Sequence, residues 1–114
     1  MSAITTHILD ISIGRPAAGV TVRLDRQTES GHWELLGNQE TDGDGRARGL
    51  ISDGRSLTAG VHRLSFDVGP YFAEREIDSF YREITIAFVV VDTSQHYHVP
   101  LLLSPFGYST YRGS

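Results

Sequence analysis

The sequence contains no cysteine and no lysine. Without cysteine there is no disulfide, no thiolate nucleophile and no thiolate metal site. Without lysine there is no Schiff-base amine and no phosphate-loop lysine, and all 10 basic residues are arginines. No window approaches the roughly 18 apolar residues of a membrane span. The start, Met1-Ser2-Ala3-Ile4, lacks the basic residues and long apolar run of a secretory signal. A cytoplasmic protein without a membrane partner is therefore expected. Basic runs are missing as well: the arginines are scattered and the net charge is -4, so no nucleic-acid partner is expected.

What is present suits one small β domain. A chain of 114 residues, 39% hydrophobic, has enough apolar content for one core and spans a single domain over residues 1–114. A domain of this length buries roughly 65% of its unfolded surface. Apolar and polar residues alternate in Val20-Thr21-Val22-Arg23-Leu24-Asp25, and again from Val61 to Val68, as in half-buried strands. The stretch Ile84 to Val91 is the most β-prone, and its continuous apolar end predicts a central position. Gln95 to Leu103 is a further strand, which Pro100 places at an edge or a bulge. Gly14-Arg15-Pro16, Asp42-Gly43-Asp44-Gly45, Ser52-Asp53-Gly54 and Ser104-Pro105-Phe106-Gly107 are turn signals. The only helix expected begins near Pro70 and covers Tyr71 to Asp78. The pattern predicts an all-β, two-sheet sandwich of seven to eight strands with one short helix.

Residues i and i+2 of a strand share a face. His7 and Leu9 therefore lie opposite Ile8. In the later strand His96, His98, Pro100 and Leu102 share a face opposite Tyr97, Val99, Leu101 and Leu103, which form the core side. His98 thus points away from the core, beside apolar residues unsuited to solvent, which suggests a second buried surface such as a subunit interface. A histidine taken alone is more often a surface or hydrogen-bonded residue than a base, and His32 and His62 keep that reading. The pair His96-x-His98 can share zinc only with a third ligand, for which His7 is the candidate. Glu40, Asp42, Asp44 and Gly45 imitate the start of a calcium loop, but its twelfth position falls on Ile51 instead of glutamate, so the segment is a turn that presents Arg46. No Gly-x-Ser-x-Gly elbow and no glycine-rich phosphate cradle occurs.

The run from His96 through Leu101-Leu102-Leu103-Ser104-Pro105 to Tyr108-Ser109-Thr110-Tyr111-Arg112-Gly113-Ser114 resembles the signature of 5-hydroxyisourate hydrolases, a transthyretin-related family. His7 in Thr6-His7-Ile8-Leu9-Asp10 and Arg46 after Asp42-Gly43-Asp44-Gly45 match the family's other two motifs. The closing Tyr111-Arg112-Gly113-Ser114 is the most specific element. True transthyretins, which carry hormones, share the Leu-Leu-Ser-Pro and Tyr-Ser-Thr stretches but lack this ending and both histidines.

The resemblance implies a prealbumin-like sandwich assembled as a homotetramer, a dimer of dimers, with active sites in a channel between dimers. It implies 5-hydroxyisourate as the small-molecule substrate, with no cofactor and no metal. The product is 2-oxo-4-hydroxy-4-carboxy-5-ureidoimidazoline, an intermediate of urate degradation, and a non-catalytic carrier of a small aromatic ligand is the alternative. His7, His98 and Ser114 are expected to be catalytic, while His7, Arg46 and Tyr111 bind substrate. Opening a cyclic amide with water needs a base near neutrality and a stabiliser for the oxyanion, tasks that imidazole and guanidinium suit. The two histidines activate and orient the water, and which of them is the base stays open. Ser114 can hold an imidazole in its useful tautomer through its hydroxyl or carboxylate. Gly113 allows a close backbone approach.

Overall fold

Strand alternation sorts this chain into two faces, and the apolar faces of two sheets meet to form the core. The computed structural model describes residues 3–52 and 54–114. The strands are β1 (Ile4–Asp10), β2 (Arg15–Pro16), β3 (Thr21–Gln27), β4 (Trp33–Glu40), β5 (Arg46–Ala47), β6 (Gly60–Asp67), β7 (Glu83–Val90), β8 (Tyr97–Ser104) and β9 (Gly107–Thr110). Among the described residues there is a single helix, α1 (Val68–Glu74), between β6 and β7. One sheet has the order β2-β1-β8-β9 with β5 also paired to β1, and the other the order β4-β3-β6-β7. Seven strands have four or more residues and two are two-residue ladders, which accords with the sandwich expected.

Ile4, Ile8, Leu101 and Leu103 from the first sheet meet Val22, Leu24, Leu64 and Phe66 from the second, all fully buried. Each such side chain contributes about 1.5–3 kcal/mol on burial. Truncating one, as in Leu101→Ala, costs about 2–5 kcal/mol because a cavity is left behind. The predicted core face of the later strand is thereby borne out: Tyr97, Val99, Leu101 and Leu103 all point inward.

Two strand positions differ from the sequence expectation. Pro100 does not mark an edge, since β8 runs between β1, its parallel neighbour, and β9. The β8–β9 ladder pairs Leu101 with Thr110 and stops there, then resumes in the same register at an isolated bridge between His98 and Gly113. Because the Gly113 N–H donates to the His98 carbonyl, that edge of His98, and of Pro100 two residues on, faces β9. The missing Pro100 donor falls in the gap of the ladder, and there the Pro100 carbonyl accepts the Thr110 hydroxyl at 2.7 Å. Nor is β7 central: it is the outer strand of its sheet. Its apolar run continues because Ala87 and Val89 face outward, leaving Val89 58% exposed.

The helix is also shorter and earlier than the predicted Tyr71 to Asp78. Glu76 adopts φ 57°. Its N–H donates to the Ala73 carbonyl while the Ile77 N–H donates to that of Phe72, each at 3.0 Å. This pair of bonds closes a helix C-terminus, and Ile77 packs against the core beside buried Phe72. Tyr71 ties the helix to β1 by donating its hydroxyl to Asp10 Oδ2 at 2.8 Å. Burial, together with the Asp10 carboxylate, pushes the Tyr71 phenol up to about 12.

His62 proves to be a core residue, 0% exposed. It lies opposite Arg26 of β3 and stacks on Phe88 with ring centroids 6.0 Å apart. Its Nδ1 is 3.1 Å from the Gly60 carbonyl oxygen, while Nε2 is buried without a partner among the described residues. Burial holds its pKa below the ordinary 6.5. No helix among the described residues is long and apolar enough to cross a membrane.

Candidate active site

Strand β1 assembles the site because its two neighbours are matched to it residue by residue. On one side His7 pairs with Arg46 of β5. On the other, parallel β8 sets Thr5 against His98 and His7 against Pro100. Paired residues share a face, so Thr5, His7, Arg46 and His98 all project from the outer face of this sheet, opposite the core. Alternation puts these side chains on one face, and the pairing of β1 with β8 brings together residues more than ninety positions apart.

The turn before β5 delivers Arg46. Asp42 Oδ1 accepts the backbone N–H of Asp44 at 2.9 Å and of Arg46 at 3.0 Å. The Arg46 hydrogen bond lowers the Asp42 pKa most. Gly45 has φ 76°, and its carbonyl accepts the Ile8 N–H at 2.8 Å. A β-carbon there would sit 2.5 Å from the Ile8 oxygen, so only glycine lets the turn lie this close to β1. The resemblance to a calcium loop is thus a tight turn that uses its aspartate on its own backbone.

Arg46, His98 and Ser114 line one open cavity of about 1150 Å³, together with Thr5, His96, Arg48 and Arg55. Among the described lining residues there are three arginines and no aspartate or glutamate side chain, so the Ser114 carboxylate is the one acidic group set against three guanidinium groups. His7 projects from the same face two residues along β1 but does not line this cavity. Tyr111 is not brought to it: 59% exposed, Tyr111 borders a separate space of about 260 Å³ with Phe88, Val89 and Val99.

Thr5 was not singled out in the sequence, yet its hydroxyl is the best-connected polar atom in the site. Thr5 Oγ1 lies 2.8 Å from His98 Nδ1 and 2.9 Å from His96 Nε2. The signal was available, since Thr5 shares a strand face with His7, but threonine at such a position is commonplace. Arg48 and Arg55 also went unremarked, because isolated arginines give no pattern. His98 Nε2 has no hydrogen-bond partner among the described residues. Burial foremost, then the Arg46 charge and the neighbouring His96 and His7, hold the His98 pKa below the ordinary 6.5, against the opposing hydrogen bond at Thr5. An imidazole that is neutral at pH 7 with one nitrogen free is suited to take a proton.

The end of the chain packs directly on that imidazole. A β-carbon on Gly113 would lie 2.6 Å from His98 Cδ2 and 3.2 Å from Pro100 Cγ. Glycine is required by this approach, as the sequence suggested. Pro100 is already buried within the chain, while Leu102 and His98 stay partly open. A zinc site on His96 and His98 lacks its third ligand: no three histidine, aspartate or glutamate side chains group to hold a metal among the described residues.

The sequence pattern of the HIUase/Transthyretin family matches residues 4–113. The chain belongs to that family. A 5-hydroxyisourate hydrolase of Caulobacter vibrioides is 48% identical over 119 residues, covering 100% of both chains. The solved 5-hydroxyisourate hydrolase of Klebsiella pneumoniae is 42% identical, with a TM-score of 0.83 and coverage of 99% of this chain and 100% of that one. Sea bream transthyretin, solved in complex with thyroxine, is 30% identical, with a TM-score of 0.90 over 97% of this chain and 94% of that one. The fold is the transthyretin sandwich, as expected from the resemblance. Backbone likeness extends to both enzyme and carrier, so the choice between them rests on the side chains of the site.

Proposed function

We propose that this chain hydrolyses 5-hydroxyisourate to 2-oxo-4-hydroxy-4-carboxy-5-ureidoimidazoline, a step of urate degradation. The observation that carries this reading is the cavity on which Arg46, His98 and Ser114 converge, built by the motifs shared with the hydrolases. A water molecule loses a proton to His98 Nε2 as its oxygen attacks the ring carbonyl. Arg46 binds the ring and stabilises the oxyanion, a contribution typically worth several kcal/mol in a partly desolvated site. The ring C–N bond then breaks as the nitrogen takes back from His98 the proton gained from water, and the new carboxylic acid, still joined to the opened ring, gives its proton to solvent; His7 helps to orient the water. Ser114, beside His98, helps to orient its ring.

The working form is a homotetramer, a dimer of dimers, in which a neighbouring copy closes the open cavity and Tyr111 packs on substrate. Exposed apolar side chains near the outer strands support this assembly: Val89 on β7, and Phe106 at the turn into β9. Unpaired strand edges with apolar side chains favour association. The chain acts as one domain over residues 1–114, in the cytoplasm, with no cofactor, metal or nucleic acid.

The transthyretin-like alternative, carriage of a small aromatic ligand without turnover, draws on the sandwich alone and leaves the two histidines and Arg46 idle. The deciding experiment generates 5-hydroxyisourate with urate oxidase and follows its ultraviolet decay with and without the protein. Acceleration that scales with protein concentration is expected. Unchanged decay, with the ligand bound but not consumed, overturns the enzyme reading in favour of the carrier.

A further inference from the structure

His96 has no part in the chemistry above, yet its ring lies against the site, stacked on His98 with centroids 6.4 Å apart. The Thr5 hydroxyl joins them, within 2.9 Å of His96 Nε2 and 2.8 Å of His98 Nδ1. Thr5 is a β-branched residue, only 9% exposed, on a strand paired in register with His98, so its hydroxyl has little freedom to look elsewhere. We propose that His96, acting through the Thr5 hydroxyl, is a positioning residue that determines which nitrogen of His98 carries the proton. This rests on the reading of His98 as the base.

A threonine hydroxyl has one proton to give and two lone pairs. For His98 to offer a lone pair at Nε2, its Nδ1 must carry the proton and donate to Thr5 Oγ1. The Thr5 proton then goes to the other nitrogen in reach, His96 Nε2, which accepts only when His96 is neutral with its own proton on Nδ1. The chain of bonds runs from His98 to Thr5 to His96, and His98 is a base.

Protonating His96 reverses it. His96 Nε2 becomes a donor to Thr5, the Thr5 proton turns to His98 Nδ1, and His98 is driven to the tautomer with its proton on Nε2. His98 then has no lone pair facing the cavity, although it carries no charge. Several charged groups surround His96: Arg46, Arg48 and Arg55 share its cavity with His98 and the Ser114 carboxylate, and Arg112 Nη2 lies 3.5 Å from its carbonyl oxygen while bonding Gln95. His7 stands beyond Thr5 on β1.

The test combines kinetics on 5-hydroxyisourate with nitrogen-15 NMR of the histidine rings, which distinguishes the two tautomers. In the native protein His98 is expected to carry its proton on Nδ1. Thr5→Val removes the hydroxyl at nearly constant shape and should lower kcat about 10–100-fold, within the range of a misoriented base, with KM changed less than about threefold. Thr5→Ser should restore both the rate and the native tautomer. His96→Phe should lose the Nδ1 preference of His98 and displace the acid limb of the kcat–pH profile. Native tautomer populations and native kcat in both Thr5→Val and His96→Phe overturn the proposal. If His98→Asn turns over at the native rate, His98 is not the base and the reading beneath fails. The tautomer measurement still decides whether Thr5 and His96 set the ring.

Discussion

Replacing Gly113 by alanine introduces one carbon at the point where the chain end meets His98. That carbon would stand 2.6 Å from His98 Cδ2, against the roughly 3.5–4.0 Å at which carbon atoms pack. Either the ring or the backbone must give by about 1 Å. Turning the ring breaks the 2.8 Å contact of His98 Nδ1 with Thr5, and lifting the backbone breaks the 2.8 Å bond from the Gly113 N–H to the His98 carbonyl. Gly113 is not among the glycines with positive φ, so alanine adds no backbone strain and the clash acts alone. A misplacement of about 1 Å at a reacting group costs about 10²-fold, equivalent to about 2.7 kcal/mol in the barrier. The stability cost is smaller, about 0.5–1.5 kcal/mol for one hydrogen bond, or a Tm lower by no more than about 8 °C. The assay is kcat/KM on freshly generated 5-hydroxyisourate, with Tm from circular dichroism. Gly107→Ala is the control, since its β-carbon would meet only Ser104 Oγ at an ordinary 3.7 Å. Native kcat/KM in Gly113→Ala would refute the idea that the position of the His98 ring limits the rate.

His7→Asn and His98→Asn should each lower kcat by about 10²–10⁴-fold with the fold retained, and Arg46→Lys should also be damaging because a point charge does not replace the planar fork. His32→Asn, at an exposed loop, should leave the rate unchanged; equal losses at all three histidines would indicate destabilisation instead of chemistry. His62 lies in the core with a lowered pKa, so its contribution to stability is fully present above pH 6.5 and lost as the pH falls through the depressed folded value. His62→Phe should therefore flatten the decline of Tm between about pH 7 and pH 5, whereas His62→Asn should cost about 1–3 kcal/mol by burying an unpaired amide; a native pH dependence in His62→Phe would assign the acid sensitivity elsewhere. Leu102→Glu places a charge on the outer face beside His98 and should weaken assembly and activity together, measured by sedimentation and turnover; an active monomer at assay concentration would defeat the tetramer.

Much of the site was legible along the chain because strands have a period of two. Knowing that His7 shares a face with Leu9, and His98 with Pro100, was enough to lift both histidines off the core, and the turn ending in Gly45 was enough to present Arg46. The short motifs point to the family by themselves. Periodicity, however, says which side of a strand a residue occupies and nothing about which strand lies beside it. The tertiary structure alone decided that β1 and β8 run parallel in the register that sets Thr5 against His98, so that one hydroxyl joins two imidazoles. It alone put β7 at an edge despite its apolar run and kept Pro100 inside a sheet, at the gap left between Thr110 and Gly113. His62 makes the same division plain: alternation puts it on the face of Leu64 and Phe66, but only the pairing of β6 with β7, which lays Phe88 against its ring, and the packing of that face leave it fully buried. Local chemistry determines faces and turns, while pairing between distant strands is a property of the whole chain packed on itself.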